Sequence, residues 1–390
     1  MAVFNSLGSN YSKPFTLKSL LSFGTNHDRT AVREALKTHY AGDVTLTYKG
    51  RQALELALHQ SGLPAGSKVG INGFTCYVVY QAVERAGLVP VFVDVAPGSL
   101  HFGVKELEAA GDVDAIIIQN TLGLPVAIKP IQKYCQDTKT MLIEDLAHSF
   151  GAHYEDGRET GTVSDLVMLS FSQDKPLDVV AGGALIDRRP ENTPTLELPL
   201  VSLWQQKKNR TYPFWTGLIR GTYGIGLGRY IHFGLKKLHL LATPMSDNLK
   251  ELRGMTRSTA HLLKGLLHNQ ADELEHRVTI AKIYQKELPQ SLQYTYAGQP
   301  SFLRFPIAVD DREGLIDLLR SQSVHIGDTW YDAPVAPKRY VGRTSYANGQ
   351  CPEAEKVVGQ IVNLPTHKHI TPEVAQQICA KINQWLPPKK

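Results

Sequence analysis

Two side chains set the chemistry this chain can attempt. An apolar run, MLIED, ends in Glu144 and Asp145, with His148 three residues beyond. Further along, Ser170-Phe171 precede Lys175, and Lys175 is trailed by small and apolar residues up to Gly182-Gly183. An acid at a strand end can hold a ring nitrogen positive, and a lone amine on a glycine-flanked turn can form an imine. Pyridoxal phosphate (PLP) needs both, a lysine for its aldehyde and a carboxylate for its pyridinium nitrogen.

Such groups act together only if the fold brings them to one crevice. The spacing predicts a helix over 30–40 and a strand at Leu46–Tyr48. A helix then runs from Gln52 to His59, with Ala53, Leu54, Leu56, Ala57 and Leu58 inward. The turn between them is Gly50-Arg51, which places free backbone N–H groups at a helix N-terminus, a seat for phosphate. Strand and helix keep alternating through KVGING, TCYVVYQAVERAG, LVPVFVDV, VKELEAAG, DAIIIQNTLG, IKPIQKYCQDT, TMLIEDLAH and DLVMLSFS. Continuous apolar strands such as AIII and MLI are those of a parallel sheet covered on both faces, so the fold class is α/β. Ligands of such sheets sit beyond the carboxyl ends of the strands. That rule gathers Gly50-Arg51, Phe74-Thr75, Asn120, Asp145 and Lys175.

Residues 190–250 differ. They mix aromatics, glycines and basic residues with few acids. Two readings compete: a lid or dimer-contact insertion over the crevice, favoured because glycines at 217, 221, 224, 226 and 228 should break any long helix, or a basic amphipathic surface touching anionic lipid or a phosphorylated ligand. The stretch from Trp204 to Lys237 could grip a phosphorylated acceptor. A long helical stretch is expected over about 249–287. An α+β unit follows (FLRFPIAV strand, REGLIDLLRSQ helix, VHIGDTWY strand), and a last helix is capped by Thr371 with Pro372 behind it. The expected division is residues 1–250, a large domain with an N-terminal arm, and 251–390, an interdomain helix with a small domain.

The chain has 390 residues, a net charge of +5 and 20% charged residues. This mild excess gives no reason to expect nucleic acid as a partner. Cys76, Cys135, Cys351 and Cys379 are scattered without a CxxC pair, which suits free thiols in a reducing compartment, the cytoplasm. The N-terminus lacks the pattern of a signal peptide, and no apolar window is long enough to span a bilayer. The 14 histidines show no HExxH or similar spacing, so no metal is expected. Ser170 lacks the context of a hydrolase nucleophile.

The pieces GRQALELAL, AGLVPVFVDV, AIIIQNTLGLP, IEDLAHSFGAHY, SFSQDK, AGG and CPEAEKVVGQIVNLP occur in this order. As a set they resemble the DegT/DnrJ/EryC1/StrS aminotransferases, sugar aminotransferases of the fold-type I PLP enzymes. The resemblance implies a large PLP domain with a central, mostly parallel sheet, a small C-terminal domain and a homodimer with active sites near the subunit interface. It implies transfer of an amino group from an amino-acid donor, glutamate being expected, to a keto group on a nucleotide-linked sugar. Lys175 takes the place of the Schiff-base lysine, Asp145 that of the carboxylate at the pyridine nitrogen, and His148 a position near the ring hydroxyl. Ser170 matches a phosphate-binding hydroxyl, and Gly50, Arg51 and Gln52 the phosphate turn; Asn120 and Cys76 also belong to the expected cofactor set.

Departures from the family pattern are visible. The usual Gly-Thr is Gly50-Arg51, and an arginine there could pair with phosphate bidentately. Cys76 stands where an aromatic ring normally stacks, with Phe74 or Tyr77 as substitutes. The usual Gly-Glu-Gly-Gly is Val180-Ala181-Gly182-Gly183, and Asn-Tyr-Arg becomes Met255-Thr256-Arg257. Two alternatives stand beside transamination. A dehydratase of this family carries His at the lysine position, which Lys175 argues against. A PLP-fold regulator without turnover is the other. Arg304 could bind a donor carboxylate or sit in a surface pair; Trp330 and Tyr331 could reach the crevice or belong to the core.

Overall fold

A computed structural model describes residues 2–189, 196–244, 251–326 and 331–387. Its centre is a seven-stranded sheet made of Asp43–Thr47 (β1), Lys68–Asn72 (β2), Val89–Val93 (β3), Ala115–Gln119 (β4), Met141–Asp145 (β5), Leu166–Ser170 (β6) and Gly183–Asp187 (β7). The order is β1-β7-β6-β5-β4-β2-β3. Only β7 runs against its neighbours, pairing antiparallel with β1 and with β6. Every residue of β4, β6 and β7 is buried, as strands covered on both faces require. The alternation legible in the sequence is therefore the alternation in space. Because β4, β5 and β6 are parallel, Gln119, Asp145 and Ser170 all end at the same edge of the sheet.

Helix α1 (Lys13–Leu21) follows an N-terminal segment that is docked. Val3-Phe4 pairs in parallel with Val324-His325, and the Asn5 amide donates to the Asn363 carbonyl at 2.7 Å. Helix α2 (Gly50–Gln60) leaves β1 for the sheet face, and Tyr77–Arg85 (α3) follows the loop after β2.

One expectation fails and another gains detail. Despite its glycines, residues 203–221 form one helix of 19 residues (α4), with Pro213 inside, before Leu227–Lys237 (α5) turns back along it. Burial of Tyr212, Pro213, Thr216 and Ile219 on one face outweighs the propensity cost of Gly217. The helical stretch expected over about 249–287 begins at Arg257 and consists of two helices, Arg257–His268 (α6) and Gln270–Glu287 (α7), separated at Asn269.

The C-terminal part pairs Arg304–Ala308 (β8) antiparallel with Ile361–Pro365 (β9), and Pro372–Trp385 (α8) closes it, its Thr371 hydroxyl capping Val374 N–H. One apolar core runs from Leu54 and Ile71 of the sheet layer to Ile280, Phe305 and Ile378, across the expected boundary at 250. The VHIGDTWY strand is seen only at Val324-His325; Trp330 lies outside the described residues.

Candidate active site

A cavity of about 820 Å³, open mouth included, lies at the carboxyl edge of the sheet. Lys49, Gly50, Arg51, Phe74, Thr75, Cys76, His148, Ser170, Lys175, Arg304 and Tyr331 all contribute to its wall.

At one end is the N-terminus of α2. The first turn of any helix leaves N–H groups without intrahelical partners, and Lys49 at the N-cap supplies no side-chain cap. Gly50 is required by close packing: a Cβ there would meet the Ser170 Cβ at 2.5 Å and its Oγ at 2.7 Å. Gly183 is required in turn, since its Cβ would sit 2.6 Å from the Gly50 nitrogen. Helix end and Ser170 hydroxyl are thus held in one corner. The Lys49 ammonium is buried there, and burial, then the Arg51 charge, lowers its pKa to about 7. Among the described residues no carboxylate lies within ion-pair distance of it. The Arg51 guanidinium donates to the Pro244 carbonyl.

Lys175 is carried on the loop from Ser172 to Gly182. Asp174 (φ 60°) and Val180 (φ 72°) both sit in the left-handed region, which is costly for a β-branched residue. One carboxylate holds both: Asp178 accepts from Asp174 N–H at 2.8 Å through Oδ2 and from Val180 N–H at 2.9 Å through Oδ1. The Tyr11 hydroxyl donates to the same Oδ1 at 2.6 Å. Burial, then the Asp174 charge, pushes the Asp178 carboxyl up to about 7. Lys175 is half-buried on the cavity wall; desolvation lowers its pKa, while the charges of Cys76, Asp145 and Asp174 resist that fall.

Asp145 ends β5 behind the cavity wall, its Oδ1 accepting the Ala147 N–H at 2.8 Å. Burial raises its pKa to about 6, and the Ala147 N–H and the Lys175 charge oppose the rise. Arg51, Cys76 and Lys175 line the cavity together; the Cys76 thiol is raised by burial, and the Lys175 and Arg51 charges oppose the rise. His148 lines the cavity and is held neutral by burial; its Nδ1 accepts the Leu122 N–H at 3.2 Å, which leaves Nε2 as the proton carrier.

Other expected residues stand elsewhere. Asn120 is fully buried off the cavity wall. Its amide donates to the Tyr154 hydroxyl at 3.2 Å and accepts Val126 N–H at 3.0 Å, so it shapes the loop after β4. Gln119, one residue earlier, lines the cavity instead and accepts from the Thr75 hydroxyl at 2.7 Å. The alternation of side chains along a strand turns one neighbour outward and the next inward. Gln52 also points away, its amide donating to the Glu251 carbonyl at 2.8 Å. Of the two substitute aromatics, Phe74 lines the cavity, stacked on Tyr331 with centroids 5.4 Å apart, whereas Tyr77 stacks on Tyr340 at 4.7 Å. Arg304 is no surface pair: it is buried on the cavity wall and donates to the Asn5 carbonyl at 2.7 Å. No described residue between 203 and 237 lines the cavity. Lys49 and Asp178 were missed in the sequence. Lys49 adjoins the recognised glycine turn, but no local signal distinguishes Asp178 from a surface acid.

The profile of the DegT/DnrJ/EryC1/StrS aminotransferase family matches residues 28–217 and 245–383. The chain belongs to this family. Its members are PLP-dependent, and the PLP-form of Spr1654 from Streptococcus pneumoniae superposes with a TM-score of 0.69 at 16% identity over 96% of both chains. GDP-perosamine synthase of Escherichia coli O157:H7 is 22% identical over 349 residues, 87% of this chain and 85% of that one. The 3-amino-5-hydroxybenzoate synthase of Amycolatopsis mediterranei (strain S699) is 30% identical over 156 residues, a match that spans 40% of each chain.

Proposed function

We propose that this family member moves an amino group from an amino acid, glutamate, to a keto group on a nucleotide-linked sugar or similar acceptor. The observation that carries this reading is a single cavity with the Lys175 amine on its wall, the Asp145 carboxylate behind it and Lys49, Gly50, Arg51 and Ser170 gathered at a helix end. The residues present fit PLP: a cradle that a Cβ at Gly50 would fill, a buried lysine at Lys49, and the Lys175 amine on the cavity wall with the buried Asp145 carboxylate behind it. When bound, PLP supplies an electron sink for the charge that develops at the donor's α-carbon.

This chain's groups do the rest. The first N–H groups of α2, the Ser170 hydroxyl and the Lys49 and Arg51 cations would hold the phosphate. Asp145, with a pKa of about 6, is mostly ionised at neutral pH and would keep the proton on the ring nitrogen. Desolvation of Lys175 raises its neutral fraction, and only the neutral amine is a nucleophile. Freed by an incoming donor, the same Nζ can take a proton from the α-carbon. Arg304 offers a cation for the donor carboxylate, and the Phe74–Tyr331 pair makes one wall apolar.

Resemblance to the family further supports a homodimer. The four cysteines are unpaired, which supports a cytoplasmic location, and no helix among the described residues is long and apolar enough to cross a membrane. The test is covalent. Protein incubated with PLP and then reduced with borohydride should carry one added pyridoxyl-phosphate mass on the peptide containing Lys175, and Lys175→Ala should carry none. Glutamate added before reduction should abolish the label and release 2-oxoglutarate. A label on another lysine, or none, sinks the assignment.

A further inference from the structure

Of the fifteen exposed large hydrophobic side chains among the described residues, twelve fall in just two stretches, 17–23 and 203–238. They belong to α1, α4 and α5 and the loops beside them, and α4 packs against both other helices. On α5, Leu227, Tyr230 and Phe233 recur at helical spacing with Lys237 next in the row, and Arg229 and Lys236 flank them. Tyr230 is 77% exposed and Phe233 68%. On α4 the exposed positions Trp204, Lys207, Phe214 and Leu218 share a face, with the Lys207 ammonium over the Trp204 ring at 5.8 Å. On α1 Leu17, Lys18 and Leu21 do the same. Leu203 (82%) and Ile225 (80%) protrude from the start of α4 and from the turn between α4 and α5.

The charge on this surface has one sign. Residues 203–244 hold seven Lys or Arg and no Asp or Glu, although the chain-wide frequency of 37 in 390 would place four acids in a stretch of that length. A second copy docked by two-fold symmetry on these helices would set cations against cations, with no acid from residues 203–244 to pair them. Such a face is instead complementary to a surface that is apolar below and anionic above. Aromatic residues with polar edges, such as Trp204 and Tyr230, suit that boundary, as do basic residues beside them.

We propose that α1, α4 and α5 form a monotopic docking surface for a bilayer bearing anionic lipid. The apolar side chains enter the headgroup–acyl boundary and Lys207, Arg229, Lys236 and Lys237 pair with lipid phosphates. The helices lie on the membrane; none is long and apolar enough to cross it. The chain leaving α5 reaches the cavity directly: the Ala242 carbonyl accepts from the Gln173 amide at 3.0 Å, and Pro244 is part of the cavity wall. Docking would therefore anchor the stretch that borders the active site.

The test uses full-length, PLP-loaded protein sedimented with vesicles of phosphatidylcholine alone or mixed with phosphatidylglycerol. Binding is expected to the anionic vesicles only and to weaken with salt. Each lysine charge removed should lower the partition coefficient roughly fivefold, so Lys236→Gln with Lys237→Gln lowers it about 25-fold. Phe233→Ser with Tyr230→Ser should also weaken binding, while solution turnover stays unchanged. Sedimentation velocity of the same variants separates lipid from protein partners. Three results would each overturn the proposal: no binding to anionic vesicles, equal binding to neutral ones, or variants that change oligomeric state but not vesicle binding. None depends on transaminase activity.

Discussion

Lys49→Met tests the electrostatics of the helix end. Burial and then the Arg51 charge take the lysine from an ordinary pKa of 10.5 to about 7. The unfolded chain keeps that proton up to about pH 10.5, and the folded apo-protein keeps it only below about 7. Between those values the unfolded state binds more protons, so this lysine makes stability rise with pH. The interval corresponds to roughly 5 kcal/mol at most. With an unfolding entropy of about 2.1 cal/mol/K per residue, that is on the order of 6 °C in Tm for a chain of this length. Lys49→Met should therefore raise the melting temperature of the apo-protein at pH 7 by up to about 6 °C, and the gap should close as the pH approaches 10. With PLP the effect turns around. The variant loses a charge-assisted bond to phosphate worth about 1.5–3 kcal/mol, so PLP should bind roughly 10- to 150-fold more weakly. Differential scanning fluorimetry across pH and a PLP titration read both arms. Equal apo melting at pH 7 and pH 10 together with unchanged PLP affinity would refute the reasoning.

Other substitutions separate the remaining roles. Gly50→Ala forces a Cβ to within 2.5 Å of Ser170 and should cost about 1–3 kcal/mol in urea unfolding while weakening PLP binding. Asp145→Asn keeps an acceptor for Ala147 N–H, so the variant should fold and still take the borohydride-trapped label, yet lose most of its glutamate turnover. A variant with wild-type kcat would remove Asp145 from its role. Arg304→Gln should raise the KM for the amino-acid donor without altering PLP affinity; an unchanged KM would place the donor carboxylate elsewhere.

The sequence by itself determined what is local and repetitive. Apolar runs of strand length between helical stretches set the parallel sheet, because strands buried on both faces admit few polar residues, as at Ile116–Ile118. The same pattern put Asp145, Ser170 and the loop bearing Lys175 at one edge of that sheet. Tertiary structure decided which neighbour faces the cavity. Asn120 and Gln119 differ only by the alternation of a strand end, and Phe74 and Tyr77 only by which ring finds Tyr340 or Tyr331. It also decided the helix through Gly217, whose stability comes from a buried face and not from propensity. Asp178 and Lys49 depend on contacts between segments far apart in the chain: Tyr11 reaches the one, and the burial that lowers the pKa of the other arises only when its turn packs into the cavity wall. Burial and long-range pairing are properties of the folded chain, and no spacing along it encodes them.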